Sequence, residues 1–364
     1  MIPFQRPDLP PTAEIDAYLE LSRGERWFSN GGPCWRMLGE RLGERAGAFC
    51  VPVASGTLGL MAALAAVLGE GAGPGTAVLP SFTFIATAQA ALWAGLEPRL
   101  ADVDADHWHL DPDRLERALA TGGVDAAIPV SAFGTPPPAE ARQRWERACR
   151  EAGVPLVVDS AAGFGAVADD GVPVGAQGDV EVVSFHATKP FAIGEGGAVF
   201  SRDRALHERV RQAVNFGFRA DRSVGLGHGL NAKMSELHAA TALAMLDRFD
   251  AVLARRREAA AAIRAAAGPG CEWQAGCERS TWQFVPVALA DAERRRRLEG
   301  ACADRVEVRV YYEPLDQLAP QRWPSVAGDL ARTEDLHRRL LCLPMANDLS
   351  EVEQAEIGAL LSDA

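Results

Sequence analysis

Lysine is almost absent from this sequence. Only two of the 37 lysine and arginine residues are lysines, Lys189 and Lys233. A guanidinium stays protonated, whereas a lysine amine can shift its pKa and can condense with a carbonyl group. In a chain that otherwise uses arginine for positive charge, we expect a lysine where an amine is chemically required.

Cysteine pairs and long apolar runs are scarce as well. The seven cysteines have no CxxC spacing and are odd in number, which argues against a metal site or a disulfide framework and favours reduced cytoplasmic thiols. The formal net charge of −12 argues against a nucleic-acid-binding surface. The first residues lack the apolar core of a signal peptide, and the most apolar helix candidate, 58–68, is too short to span a bilayer. We therefore expect a cytoplasmic protein that binds neither a membrane nor nucleic acid.

The chain has two regions of different pattern. Residues 50–200 alternate short β-branched runs with helical stretches, which is typical of a largely parallel sheet covered by helices on both faces. The later chain loses this alternation. The sequence therefore predicts an α/β fold in which residues 1–249 form an N-terminal segment and a large domain with a mostly parallel sheet. Residues 250–364 are predicted to form a smaller α+β domain.

Several elements of the later chain are predicted individually. A long alanine-rich helix is predicted from residue 236 to about 267, where a Gly-Pro-Gly turn stops it. Residues 282–289 and 306–312 are predicted strands. The arginine runs 255–257 and 294–297 are predicted to lie on solvated helix faces.

A candidate phosphate site lies at a junction between a strand and a helix. Ser55, Gly56 and Thr57 follow the apolar run 51–54 and precede an apolar helix. The first backbone N–H groups of a helix lack partners, and the helix dipole favours an anion there. Glycine lets an oxygen approach the backbone, and the two hydroxyl groups add donors. An ordinary capped turn is the alternative interpretation of the same tripeptide.

Two charged side chains follow later strands. Asp159 ends the apolar run that begins at Leu156, and Lys189 follows Ser184 at the exit of the next strand. Ligands of parallel sheets bind beyond the carboxyl ends of the strands. A carboxylate there can hold a protonated pyridine nitrogen, although Asp159 could also cap a turn. With the Ser-Gly-Thr loop for a phosphate and the lysine for a Schiff base, the set fits pyridoxal 5′-phosphate (PLP).

Seven segments resemble the DegT/StrS family of nucleotide-sugar aminotransferases, in the family's order and over nearly the whole chain. They are 53–57 (VASGT), 80–87 (PSFTFIAT), 184–189 (SFHATK), 194–197 (GEGG), 230–236 (LNAKMSE), 311–315 (YYEPL) and 342–344 (CLP). The resemblance implies the aspartate-aminotransferase fold, which is fold type I of the PLP enzymes. It also implies a homodimer with shared active sites.

The resemblance also implies roles for individual residues. Lys189 would be the Schiff-base lysine, and Asp159 would be the partner of the pyridine nitrogen. The Ser184 hydroxyl, with the Ser55–Thr57 loop and the amides of Gly56 and Thr57, would hold the phosphate. Phe84 would stack on the ring, and Asn231 would reach the phosphate of the neighbouring subunit's cofactor.

One cofactor-binding position departs from the family. The family commonly has Asp-x-Ala-Gln after the strand, and its glutamine approaches the phenolic oxygen of the cofactor. This chain has Ala162 at that position. An alanine cannot make the hydrogen bond, so we expect water or another side chain to replace it.

Three residues are candidate substrate contacts. His186 is similar to the histidine of family members that aminate C4 of a sugar, whereas a histidine that only packs beside the cofactor is the alternative. Asn30 lies in an aromatic, glycine-rich turn that the resemblance places at the site entrance, and an ordinary turn is equally consistent. Lys233 is a candidate for a nucleotide phosphate or for a salt bridge between subunits.

The resemblance implies PLP-dependent transamination of a nucleotide-linked keto-sugar, at C4 of a 4-keto-6-deoxy sugar, with glutamate as the amino donor. Secondary metabolism is the expected setting. A cyclitol or amino-benzoate-type aminotransferase would use the same residues, and a non-catalytic regulatory protein could share the fold. A dehydrogenase is disfavoured because no strand leads into a GxGxxG motif.

Overall fold

A computed structural model describes residues 1–69, 73–319, 323 and 327–362. Its first part alternates helices with strands, as the sequence pattern predicts. In chain order the elements are α1 (Thr12–Glu25), α2 (Pro33–Ala46), β1 (Phe49–Val53), α3 (Gly56–Leu68), β2 (Gly75–Pro80), α4 (Ile85–Trp93), β3 (Leu96–Ala101), α5 (Pro112–Ala120), β4 (Ala126–Ala127), α6 (Ala139–Ala152), β5 (Val157–Asp159), β6 (Val180–Ser184), β7 (Gly197–Ser201) and α7 (Arg204–Ala213).

These strands form one sheet of mostly parallel direction. The order β3-β2-β4 continues into β5-β6-β7-β1 through single bridges between Ala127 and Leu156 and between Val130 and Asp159. Strand β7 is antiparallel to both of its neighbours, β6 and β1, whereas β2 and β3 pair in parallel. The predicted α/β fold with a mostly parallel sheet is therefore confirmed.

Both faces of the sheet are covered because neighbouring strand residues point to opposite sides. On β6, Val182 packs with the apolar helix α3, while Val183 packs with the helices on the other face. Helix α3 is apolar on all sides, as expected of a helix buried within a protein. The carboxyl ends of β1, β5 and β6 thus meet at one buried edge, where the predicted functional residues lie.

The later chain begins with a helix that spans 31 residues, α8 (Glu236–Ala266), capped at its N-terminus by the Ser235 side chain. It is followed by β8 (Cys271–Glu272), β9 (Val285–Leu289), α9 (Ala292–Cys302), α10 (Leu315–Leu318), α11 (Ala331–Arg339), β10 (Leu340–Leu343) and α12 (Glu351–Ser362). We call residues 271–362, within the described ranges, the C-terminal region. Its three strands form an antiparallel sheet in the order β10-β9-β8.

Two predictions for the later chain are wrong. Residues 306–312 form no strand and make only single bridges, between Val306 and Ile2 and between Arg309 and Cys342. The predicted solvated face of the arginine run 255–257 is wrong at Arg256, which is buried against carbonyl oxygens, whereas Arg255 is exposed.

The first residues of the chain pack against the C-terminal region. Ile2 bridges Val306, and the Phe4 N–H donates to the Glu307 carboxylate at 2.9 Å. Phe4 is buried against Phe284. The division at residues 249 and 250 stays a prediction, and α8 runs across it. Within the described ranges, no helix combines the length and the apolar composition needed to cross a bilayer.

Candidate active site

A cavity of about 690 Å³ opens at the carboxyl ends of the strands. Its walls include all of the predicted site residues except Asn30, Asn231 and Lys233. The lining members are Ser55, Gly56, Thr57, Phe84, Asp159, Ala162, Ser184, His186 and Lys189. The fold therefore gathers residues that are far apart in the sequence into one site.

The candidate phosphate loop is built by close approach of backbone to backbone. Ser55 is the N-cap of α3, and its side chain accepts a hydrogen bond from the Leu58 N–H at 3.2 Å. A Cβ atom built on Gly56 would lie 2.8 Å from the Cβ atom of Ser184. A Cβ atom built on Gly197 would lie 2.9 Å from the Gly56 nitrogen. Glycine at both positions thus lets the helix N-terminus and the Ser184 hydroxyl meet at one point, which suits a phosphate.

Asp159 is a buried carboxylate at the end of β5, with only 4% of its surface exposed. Its Oδ2 accepts from the Thr87 hydroxyl at 2.7 Å, and its Oδ1 accepts from the Ala161 N–H at 3.1 Å. Burial raises the pKa of Asp159, while the bond from Thr87 opposes that rise. A carboxylate in this state gains from a cationic partner, such as a protonated ring nitrogen.

Lys189 lies in the turn that follows β6. Burial lowers the pKa of its amine to about 8, and the Asp159 carboxylate opposes this shift. Its Nζ donates to Gln283 Oε1 at 3.3 Å. An amine with a lowered pKa is neutral in a larger fraction of molecules near neutral pH, and the neutral form is the nucleophile.

His186 is held in one tautomer beside Lys189. The Thr188 N–H donates to His186 Nδ1 at 3.2 Å, so Nδ1 must be an acceptor and the proton is on Nε2. The Thr188 hydroxyl lies 2.9 Å from the same Nδ1. On the other side of the ring, Nε2 lies 3.7 Å from Glu195 Oε1, and both residues line the cavity. The pair therefore offers a ligand one donor and one acceptor.

Phe84 and Ala162 occupy the cavity without forming polar side-chain contacts. Phe84 is 58% exposed, which leaves its ring face open to a planar ligand. Ala162 is buried, and its carbonyl accepts from the Thr281 hydroxyl at 2.6 Å. Tyr312 also lines the cavity, stacked on Phe133.

Asn30, Asn231 and Lys233 lie outside the cavity. Asn30 is exposed and has a positive φ of 56°. Lys233 Nζ donates to Asn231 Oδ1 at 2.7 Å and lies 4.4 Å from the centre of the Phe216 ring. One copy of the chain therefore brings Asn231 and Lys233 together but brings none of the three residues into the cavity.

Several residues in and beside the cavity were not predicted from the sequence. Thr87 is fully buried and reaches the site through its hydrogen bond to Asp159. It lies one helical turn after Phe84, so the position was detectable from the pattern of α4. Gln5, Gln283 and Arg309 come from the N-terminal segment and the C-terminal region, and no local motif marks them. Arg309 and Lys189 are the arginine and the lysine that line the cavity. The Nη2 atom of Arg309 donates to the Glu307 carboxylate at 2.9 Å.

A further buried carboxyl lies behind the cavity. Glu181 Oε2 accepts from the backbone N–H groups of Gly175 at 2.6 Å and Gln177 at 2.9 Å, and Oε1 accepts from the Ser160 hydroxyl. Burial raises the pKa of Glu181 to about 7. The Ser160 hydroxyl also lies 2.9 Å from that of Ser131, which lines the cavity.

The residues present fit PLP. The glycine-lined helix start suits a phosphate, the exposed Phe84 ring suits a planar ring, and Asp159 suits a pyridine nitrogen. Lys189 offers an amine of the kind that the cofactor requires, and burial keeps a useful fraction of it neutral.

Known proteins match the chain over almost its full length. Residues 11–362 match the model of the DegT/DnrJ/EryC1/StrS aminotransferase family. Protein Rv3402c of Mycobacterium tuberculosis (strain H37Rv) is 34% identical over 376 residues, which cover 100% of this chain and 90% of that protein. The dTDP-4-amino-4,6-dideoxy-D-glucose transaminase of Shigella dysenteriae is 29% identical over 355 residues, or 95% and 94% of the two chains. The crystal structure of DesI in the presence of its TDP-sugar product has a TM-score of 0.87 and 34% identity, covering 98% and 91%.

Proposed function

Because the chain belongs to the DegT/DnrJ/EryC1/StrS aminotransferase family, we propose that it transfers the amino group of glutamate to C4 of a 4-keto-6-deoxy sugar carried on a nucleoside diphosphate. The predicted enzyme class and the predicted PLP cofactor are confirmed by the family match. The observation that carries the proposal is that Lys189 and Asp159 line one cavity together with the N-terminus of α3, which suits an anion. The 4-amino position in the name of the Shigella relative supports the choice of C4.

The residues divide the chemistry between binding and proton transfer. Bound PLP supplies an electron sink next to the carbon that carries the amino group. The Asp159 carboxylate would hold the proton on the ring nitrogen, and the N–H groups of Gly56 and Thr57 would bind the phosphate with Ser184. Lys189 Nζ removes the proton from the α-carbon of the amino donor. In the second half of the reaction it delivers a proton to C4 of the sugar.

The remaining lining suits an anionic, hydroxylated substrate. Arg309 gives the cavity a fixed positive charge, and both glutamate and a nucleoside diphosphate are anions. The His186 Nε2–H and the Glu195 carboxylate together match a sugar hydroxyl, which both accepts and donates. We assign His186 to the sugar on this ground.

A second copy of the chain would complete the site. Asn231 and Lys233 are absent from the cavity of one copy, and they lie beside the exposed side chains of Phe216 and Phe218. Exposed aromatic side chains are typical of subunit contacts. In a homodimer, these residues would face the phosphate groups of the neighbouring site.

The test is a direct product assay. Purified chain is incubated with PLP, glutamate and a panel of 4-keto and 3-keto nucleotide sugars, with a cyclitol ketone as comparison. We expect 2-oxoglutarate and one amino sugar, identified by mass spectrometry and located at C4 by NMR. Amination of the cyclitol alone, or of a 3-keto sugar alone, would contradict the substrate assignment. Protein that stays colourless after incubation with PLP would contradict catalysis altogether.

A further inference from the structure

The Lys189 amine donates a hydrogen bond to Gln283, a residue that lies outside all of the sequence motifs. Gln283 is 4% exposed and accepts the hydrogen bond from Lys189 Nζ at 3.3 Å. Its own Nε2 donates to the Thr188 carbonyl at 3.4 Å. Because a carbonyl can only accept, the amide nitrogen of Gln283 must face Thr188 and the amide oxygen must face the amine. The orientation of this side chain is thus fixed by the turn that carries Lys189.

The backbone before Gln283 is strained. Trp282 has a φ of 56°, in the left-handed region that bulky residues rarely adopt. Such a conformation is unfavourable and persists where the surroundings hold it. The Thr281 hydroxyl donates to the Ala162 carbonyl at 2.6 Å, and the Trp282 N–H donates to the Ser280 hydroxyl at 3.0 Å. These bonds fasten residues 280–283 beside the strand end that carries Asp159.

Arg256 holds the same segment from the other side. Its guanidinium donates to the Trp282 carbonyl at 3.1 and 2.8 Å and to the Gln283 carbonyl at 3.1 Å. It also donates to Asn347 Oδ1 at 2.6 Å and to the Met345 carbonyl at 3.4 Å. All of these acceptors are neutral, and burial lowers the pKa of Arg256 to about 9. A buried charge without a counter-charge is costly. The hydrogen bonds of this guanidinium to the Trp282 and Gln283 carbonyls fix the position of the backbone at these two residues.

We propose that Gln283 is a positioning residue that holds the Lys189 amine in place, and that Arg256 and residues 280–283 keep Gln283 in reach. This assignment rests on the proposed role of Lys189 as the reactive amine. A neutral acceptor orients Nζ with little change in charge, whereas a carboxylate at the same place would raise the pKa of the amine strongly. Gln283 therefore serves orientation while leaving the amine able to lose its proton.

The scarcity of lysine makes a direct test possible. The full-length chain, freed of cofactor, is treated with a trace of acetic anhydride over a series of pH values, because acetic anhydride acetylates neutral amines. Peptide mass spectrometry then gives the modified fraction at Lys189, with Lys233 as the reference amine in the same sample. The midpoint of the Lys189 curve reports its pKa without any catalysis.

Three variants separate the contact from its surroundings. Gln283→Leu removes the acceptor at similar size, and we expect the Lys189 midpoint to fall because the protonated amine loses a hydrogen bond. Gln283→Glu adds a carboxylate, and we expect the midpoint to rise by about 1 unit or more. Gln274→Leu is the matched control, since Gln274 is 1% exposed and bonds to His107 and Thr135, which do not line the cavity. It should leave the midpoint unchanged.

The holoenzyme adds a second measurement. Gln283→Leu should lower kcat by a larger factor than it raises the KM of the sugar, because the hydrogen bond that is lost is that of the amine. An unchanged midpoint in both Gln283 variants, or an equal shift in Gln274→Leu, would overturn the assignment. If the wild-type chain aminates no ketone, the proposed function is wrong whatever the titration shows.

Discussion

At the scale of single residues, burial has opposite effects on the two charged groups of the site. It raises the pKa of Asp159 and lowers that of Lys189, so it disfavours the charged form of both groups. In the proposed function a protonated ring nitrogen would compensate Asp159, whereas Lys189 would gain reactivity as it loses charge. The same apolar surroundings therefore prepare one group to hold a cation and the other to react.

Lys189→Arg should abolish the chemistry while keeping the positive charge. A guanidinium cannot deprotonate under working conditions, so it cannot bind PLP covalently or move the proton. We expect loss of the visible absorbance of lysine-bound PLP and a fall in turnover of roughly 10³-fold or more. The matched control is Lys233→Arg, which should retain the absorbance. Retention of both absorbance and turnover in the Lys189 variant would remove this residue from the reaction.

Asp159→Ala should separate cofactor binding from catalysis. The phosphate contacts remain, so PLP should still bind, but its ring nitrogen loses the carboxylate that holds its proton. We expect turnover to fall by roughly 10²-fold or more, measured with saturating PLP. Unchanged kinetics in this variant would show that another group supports the ring.

At the scale of elements, the sequence predicted those whose pattern is local. Helices α3 and α8 carry their own signals, an apolar run and an N-cap, and both lie where expected. The predicted strand 306–312 fails because a strand needs a continuous partner, and this segment has only single bridges to Ile2 and Cys342. Both partners are distant in the sequence, so no local pattern indicates how this segment pairs.

Arg256 shows how a run of charge can mislead. Three consecutive arginines indicate a solvated face, yet Arg256 shares one side of α8 with the buried residues Val252, Ala260 and Ile263. The spacing of four and seven residues is that of a helix face. Gln283 and Arg309 could not be predicted in this way, because only the tertiary fold brings them to the strand ends.

Gly56→Ala tests the contact between α3 and β6. The new Cβ would lie 2.8 Å from the Ser184 Cβ, so the helix start must move away from the strand. We expect a loss of about 1–3 kcal/mol in the free energy of unfolding and weaker binding of PLP. Denaturant unfolding and a PLP titration would measure the two effects.

The matched control for this substitution is Gly24→Ala. Gly24 lies within α1, and a Cβ atom there would meet no neighbour within 4 Å. Removing a helical glycine should stabilise the chain by about 0.5–1 kcal/mol and leave PLP binding unchanged. Equal behaviour of the two variants would argue against the close approach at Gly56.

At the scale of the whole molecule, the cavity is assembled from three parts of the chain. The large sheet supplies the phosphate loop, Asp159 and Lys189. The C-terminal region supplies Gln283 and Arg309, and the N-terminal segment supplies Gln5. The geometry of the site therefore depends on how these parts pack.

Glu181 should make the global stability depend on pH. Its pKa is about 7 in the folded chain and about 4.5 in the unfolded chain. Between these values the unfolded chain has lost the proton and the folded chain has kept it. Stability therefore falls as pH rises from about 4.5 to about 7, by up to about 3 kcal/mol from this residue, and then stays level.

Glu181→Gln mimics the protonated carboxyl and has no proton to lose. The free energy of unfolding of the variant, minus that of the wild type, should therefore increase between pH 4.5 and 7. Other groups titrate in both proteins and cancel in this difference. Urea unfolding of both proteins at several pH values would measure it, and a difference that does not change with pH would contradict the burial of a titrating Glu181.

The packing of Ile2 and Phe4 against the C-terminal region has a consequence for biosynthesis. Phe4 and its partner Glu307 are 303 positions apart. At translation rates of about 5–20 residues per second, Ile2 and Phe4 are synthesised about 15–60 s before their partners. During that time two apolar side chains have no place to pack, and a chaperone could bind them. Ile2 and Phe4 are thus made long before their partners and are among the last residues to reach their native position.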